Sequence, residues 1–180
     1  MTNTHHFMRS QQPQRQRGAA LIISLILLVI MTLLGLAGIR GITQEERMAN
    51  HSLDRSLAFQ ATEAALRDVE QLVEANKPTP TAGCSVVATL MSCAPPAATD
   101  TPRWLDDTFT SWQALSAVGT GVLAVTPEYF VEFLGADFEC RPGEGTASGI
   151  TCKRYRVTAR SHDGSSARSS VMLQSIYATD

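Results

Sequence analysis

Four cysteines, Cys84, Cys93, Cys140 and Cys152, are the side chains of this sequence best placed for covalent chemistry. They form no C-x-x-C pair and have no histidine beside them, so metal ligation is disfavoured and disulfide formation in an oxidising compartment is expected. Three pairings are open. Local closure favours Cys84 with Cys93 and Cys140 with Cys152, giving loops of about ten and about thirteen residues and roughly 2–3 kcal/mol per bridge in the loop-entropy account.

No other constellation carries a reaction. The sequence has no G-x-S-x-G, no H-E-x-x-H and no G-x-x-x-x-G-K, and Gly145-Thr146-Ala147-Ser148-Gly149 has the wrong spacing for a nucleophile elbow. His51 and His162 fall on an expected helix and an expected turn, where solvated side chains are the rule. Glu45-Glu46 and Asp106-Asp107 are sequence neighbours, which point about 100° apart on a helix and so make no acid–base pair. The chain is expected to be no enzyme and to use no cofactor. Lys153, Arg154, Arg156, Arg160 and Arg168 form a basic cluster. Arg154, Arg156 and Arg160 share one face of a strand and are the candidate partner surface, with a solvated sheet face as the plainer alternative.

The elements that must position these residues begin with an asymmetry. The whole chain carries a net charge of −2, with 44% hydrophobic and 18% charged residues, which excludes a wholly disordered chain and the basic excess of a dedicated nucleic-acid binder. Residues 1–18 are a basic, polar leader holding Arg9, Arg15 and Arg17 and no acid. Without those three arginines the rest has 12 basic against 17 acidic residues, a net −5. Ala19 to Ile39 then runs uncharged for about 30 Å of helix, the thickness of a bilayer's hydrocarbon. The charge bias places the leader in the cytoplasm and the remainder across the membrane. A cleaved signal peptide ending near Gly35-Leu36-Ala37, an uncleaved anchor, and a cut ahead of the apolar run at Gly18-Ala19 all remain open on residues alone.

From Ile42 to Asn76 there is no proline. Phe59, Leu66 and Val73 recur every seventh position beside Ala58, Ala61, Ala65, Val69 and Leu72, which predicts a helix with one core-seeking face, stopped by Asn76-Lys77-Pro78. Continued from the apolar run, it would be a rod of nearly 90 Å. Gly35, Gly38 and Gly41 each cost about 1 kcal/mol of helix stability, marking either a segment that bends or melts on assembly or one that permits close helix contact. Thr79 to Pro102 reads as a loop. Leu105, Phe109, Trp112 and Leu115 predict a short amphipathic helix, with Trp104 and Trp112 in packing roles. Glu128 to Leu134, Arg154 to Ser161 and Arg168 to Tyr177 alternate as strands, the last two joined by a hairpin at His162-Asp163-Gly164-Ser165. The domain plan is a leader over 1–18, a helix over 19–77 with its membrane half at 19–39, and an α+β head over 78–180, whose antiparallel sheet packs against the helix.

The segments QRQRGAALIISLILLVIMTLLGL, QEERMAN and LAFQATEAALRDVE, with a weaker echo in YRVTARSHDG and VMLQSIY, resemble type IV minor pilins, most closely the PilX family of pilus assembly proteins. The resemblance implies a type IV pilin-like fold. It also implies cleavage after Gly18 by a prepilin peptidase and methylation of the new N-terminus at Ala19. The apolar helix would first anchor the subunit among inner-membrane lipids and later pack in the filament at the cell surface. A disulfide-bounded contact loop is implied at Arg141 to Thr151, between Cys140 and Cys152. Major pilins usually carry a glutamate where this chain has Ile23, a carboxylate that needs a partner inside hydrocarbon. Its absence resembles tip-located pseudopilins and implies a place at or near the pilus tip.

The expected function is therefore a minor pilin that primes filament assembly, with adhesion, twitching motility and DNA uptake all open as its role. Its partners would be other minor pilins, the major pilin, the peptidase and a candidate tip adhesin, with nucleic acid disfavoured. The alternatives are a single-pass periplasmic sensor or binding domain, and a type II secretion pseudopilin, although K-like members of that class resemble larger heads.

Overall fold

The computed structural model describes residues 18–140, 143, 151–162 and 168–179, apart from the side chains at 40 and 41. The leader up to Arg17, nearly all of the Arg141 to Thr151 loop, and Asp163-Gly164-Ser165 of the expected hairpin turn lie outside the described residues. Two compact units divide the chain, Met1–Met48 and Ala49–Asp180. One helix, α1 (Ala19–Asn76), contributes to each.

In the first unit α1 starts at Ala19 and is unbroken through Gly35, Gly38 and Gly41. Its leucines and isoleucines are exposed all round, and it is the one described helix long and apolar enough to cross a membrane. The two hydroxyls within Ala19 to Ile39 turn back on their own helix: Ser24 Oγ donates to the Leu21 carbonyl (2.9 Å) and Thr32 Oγ1 to the Val29 carbonyl (2.8 Å). Each is satisfied without water, as hydrocarbon requires.

In the second unit the rest of α1 buries Ala58, Ala61, Thr62, Ala65, Leu66, Val69 and Val73. Phe59, expected in this face, is 46% exposed, because the 58–61–65–69–73 spacing carries the stripe past it. Lys77 ends the helix with φ 43°, its N–H donating to the Val73 carbonyl, and Pro78 prevents continuation.

The sheet comprises β1 (Cys84–Val87), β2 (Leu90–Cys93), β3 (Gln113–Ala114), β4 (Glu128–Glu139), β5 (Thr151–Arg160) and β6 (Met172–Thr179). The order is β1-β2-β4-β5-β6, with β3 also pairing β4. Tyr129, Val131, Tyr155, Val157 and Ala159 face the helix with Leu90, while Phe130, Glu132, Arg156 and Thr158 alternate onto the other side.

Three expectations change. The sheet is mixed, since β2 runs parallel to β4. The chain between them, residues 94–127, is long enough to cross and return in the same direction. The segment from Thr79 to Pro102 is not all loop, since it holds the β1–β2 hairpin. The helix expected over Leu105 to Leu115 is absent: a single 3₁₀ turn at Arg103–Leu105 leads into extended chain and β3. Asp106 explains part of this, because its carboxylate accepts both the N–H and the hydroxyl of Thr108 and competes with helical pairing. The rest is tertiary. Phe109 and Trp112 lie 4.7 Å from Phe130 between ring centroids, on the sheet face away from α1.

Strand β4 carries two register shifts around Gly135, which has φ 142°. A Cβ there would stand 3.0 Å from Phe138 Cε2, so both conformation and space call for glycine.

Candidate functional site

Gly18 is an exposed turn residue and Ala19 is the first residue of α1. A Cβ at position 18 would meet nothing within 4 Å. Among the described residues, nothing packs against position 18. Ile23 lies one turn on, 58% exposed.

The cysteines form two local bridges. Cys84–Cys93 closes the β1–β2 hairpin and Cys140–Cys152 joins the end of β4 to the start of β5, with Cα–Cα separations of 3.9 and 5.0 Å. No cysteine is free. Tyr129 further pins the hairpin: its hydroxyl accepts from the Met91 N–H and donates to the Thr89 carbonyl, both at 3.4 Å, and burial raises its pKa.

The arginine stripe of β5 is not an open basic face. Arg156 Nη1 donates to Glu132 Oε2 (3.2 Å) and its guanidinium lies 4.7 Å over Trp104. Arg160 forks onto Glu128 Oε2 and sits 4.0 Å over Trp112. Arg154 lies 4.7 Å over Phe138 and donates to the Glu139 carbonyl. Aromatic rings thus cover these arginines, and Tyr155, which stands between Arg154 and Arg156 on the strand, faces the core on the other side. Residues 103–112 cross this face as a strap, which Arg156 and Arg160 clamp through Trp104 and Trp112. Sequence reasoning missed Glu132 and Arg103, which complete the clamp. Arg103 adjoins Trp104 in the sequence, but nothing local pairs either with Glu132.

Asp54 ties α1 to the Arg168-Ser169 segment that precedes β6. It accepts from the Ser169 backbone N–H (2.5 Å) and from Arg168 Nε (2.8 Å), and these two contacts hold its carboxyl below the ordinary range, the backbone bond first. His162 Nε2 lies 3.2 Å from the Ser169 carbonyl. The Ser169 side chain also bonds Asp54 and lowers its pKa further. His51 stays exposed on α1, and no group of three metal-type ligands occurs among the described residues.

Along the other side of α1, Glu70 accepts from the Ser175 hydroxyl and Glu74 from the Tyr177 hydroxyl (3.0 Å). Hydrogen bonds from Thr179 and then Tyr177 lower the Glu74 pKa. Tyr155, wholly buried, is pushed up to about 12 by desolvation and then by the charge of Glu74.

A helix beginning with an uninterrupted apolar run and continuing onto a disulfide-stapled sheet defines a pilin-like protein. The chain matches the family model PilX N-terminal over residues 17–67 and the model Type IV pilus assembly protein PilX C-term over residues 71–179. It belongs to the PilX family of type IV pilus assembly proteins and has a minor pilin's role in that assembly. No curated protein and no solved structure matches it.

Proposed function

We propose that this chain is made as a prepilin, inserted in the inner membrane through Ala19 to Ile39 with its head in the periplasm, and cut between Gly18 and Ala19 by a prepilin peptidase. Methylated at Ala19, it then leaves the membrane and assembles at or near the pilus tip, priming the filament with other minor pilins and the major pilin. The observation that carries this reading is the junction itself: an exposed glycine immediately precedes a helix that is uncharged from Ala19 to Ile39, in a chain of the PilX family. Its work is binding. The helix supplies membrane retention and later lateral packing, while the stapled head supplies contacts to neighbouring subunits or a tip adhesin.

Ile23 supports the tip assignment. A subunit placed first has no predecessor whose amine would need a carboxylate at that depth, and an unpaired carboxylate in hydrocarbon costs several kcal/mol (about 2.5 or more). Intact mass of the protein from host membranes, with and without the peptidase, tests the pathway. A chain starting at methylated Ala19 only when the peptidase is present is expected, and Gly18→Phe should block that cut without disturbing the fold. A chain that keeps residues 1–18 under both conditions would instead make it an anchored periplasmic domain. Uniform immunogold labelling along filaments would sink the tip placement.

A further inference from the structure

We propose that the outer edge of β6, between Met172 and Ile176, is a strand-addition site that takes an extended strand of alternating apolar and basic residues from a different protein of the pilus assembly. The inference rests on the assembly role above and adds a contact surface and its chemistry.

β6 is the last strand of the sheet, and among the described residues its only partner strand is β5. An edge presents a row of backbone donors and acceptors, and natural proteins blunt it with lysine, proline, a bulge or shortness. β6 has none of these. Its sequence MLQSIYAT holds no charge and no proline, and its eight residue pairs with β5 run without a register shift. The opposite edge is blunted: β1 has four residues and is bridged to β2.

The two faces of the edge state what the incoming strand must carry. On the face away from α1 the strap lies over β4 and β5 but leaves Met172 and Ile176 exposed, 41% and 59%, with Gln174 between them. An added strand would cover them with its own apolar side chains. On the helix face an open groove of about 480 Å³ lies beside β6, lined by Arg67, Glu70, Gln71, Glu74, Ala75 and Tyr177. Arg67 is bound to Glu63, and Lys77 lies 3.4 Å from Glu74. Glu70 bonds only the Ser175 hydroxyl and meets no cation among the described residues. A lysine or arginine on the incoming strand would fill that vacancy in charge. A second copy would not supply it through β6, which has no basic residue.

The test uses the full chain in its own host, with a photo-crosslinking residue at Gln174 and sequencing of the captured peptide. The expected product joins position 174 to an extended, Lys- or Arg-containing segment of another pilus protein. Glu70→Gln and, separately, Ile176→Lys should each cut its yield at least tenfold while both disulfides still form. Capture of a second copy of this chain, capture of a helical segment, undiminished yield in both variants, or no adduct in piliated cells would each overturn the proposal. Deleting the chain separates the two ideas: unchanged piliation would defeat the assembly role, whereas lost piliation restored in full by Ile176→Lys would defeat strand addition alone.

Discussion

Arg103 reaches from the strap to Glu132 in the middle of β4, Nη1 to Oε1 at 2.5 Å, and Glu132 has no exposed side-chain surface. Its second oxygen holds Arg156 of β5. One carboxylate therefore joins three segments that lie far apart in sequence, and it fixes where the strap crosses the sheet. Leaving a guanidinium or carboxylate without its partner in such a place costs about 3–5 kcal/mol when both are fully buried. Here the arginine side chains keep 18% and 25% of their exposure, which lowers the figure. Glu132→Ala is expected to destabilise the protein by about 3 kcal/mol, lowering the melting temperature by roughly 10 °C. Thermal unfolding of the full chain in detergent checks this, and a fall of under 2 °C would mean the strap is held by its aromatic rings instead.

Asp54 should make the head acid-sensitive. Its folded pKa lies below the ordinary aspartate value near 3.9, so the unfolded chain binds the proton more readily and stability rises with pH across that interval. The contribution is complete above about pH 5 and is lost as pH falls through the folded pKa. Asp54→Asn keeps the shape and an acceptor for Ser169 but removes the charge facing Arg168. The variant is expected to be about 1 kcal/mol less stable at pH 7, and the gap should narrow as pH falls through the folded pKa of Asp54. Melting curves of both proteins across this range decide it; a gap independent of pH would place the loss in packing.

How much was legible follows from where each signal resides. The apolar run and Pro78 are local, and they marked both ends of α1. Period-two alternation marked β4, β5 and β6 for the same reason. The helix expected from Leu105 to Leu115 arose because Phe109 and Trp112 happen to stand at helical spacing, while their real constraint is Phe130 on a distant strand. The arginines of β5 were visible as a stripe, but not the rings and carboxylates above them, which arrive from the strap and β4. The open edge of β6 depends on strand order, which no local pattern records. The proposed cut at Gly18-Ala19 rests on family resemblance and not on physical chemistry.

The β1–β2 hairpin was missed for a reason that can be measured. Its turn is Ala88-Thr89, with φ 47° and 73°, where a two-residue hairpin ordinarily uses Asn-Gly or another glycine pair. A β-branched residue at positive φ is strained by about 1–2 kcal/mol, and the sequence therefore lacks any turn signal. The Cys84–Cys93 bridge and the Tyr129 hydroxyl hold the turn closed despite that strain. Thr89→Gly would relieve it and keep the backbone carbonyl that Tyr129 uses, while adding chain entropy to the unfolded state that offsets about 0.5–1 kcal/mol. A net gain of about 0.5–1 kcal/mol is expected, raising the melting temperature by about 2–4 °C. Tyr129→Phe should act in the opposite direction by removing both hydrogen bonds. A Thr89→Gly protein that melts lower than the parent would show that the threonine side chain contributes contacts outweighing its backbone strain.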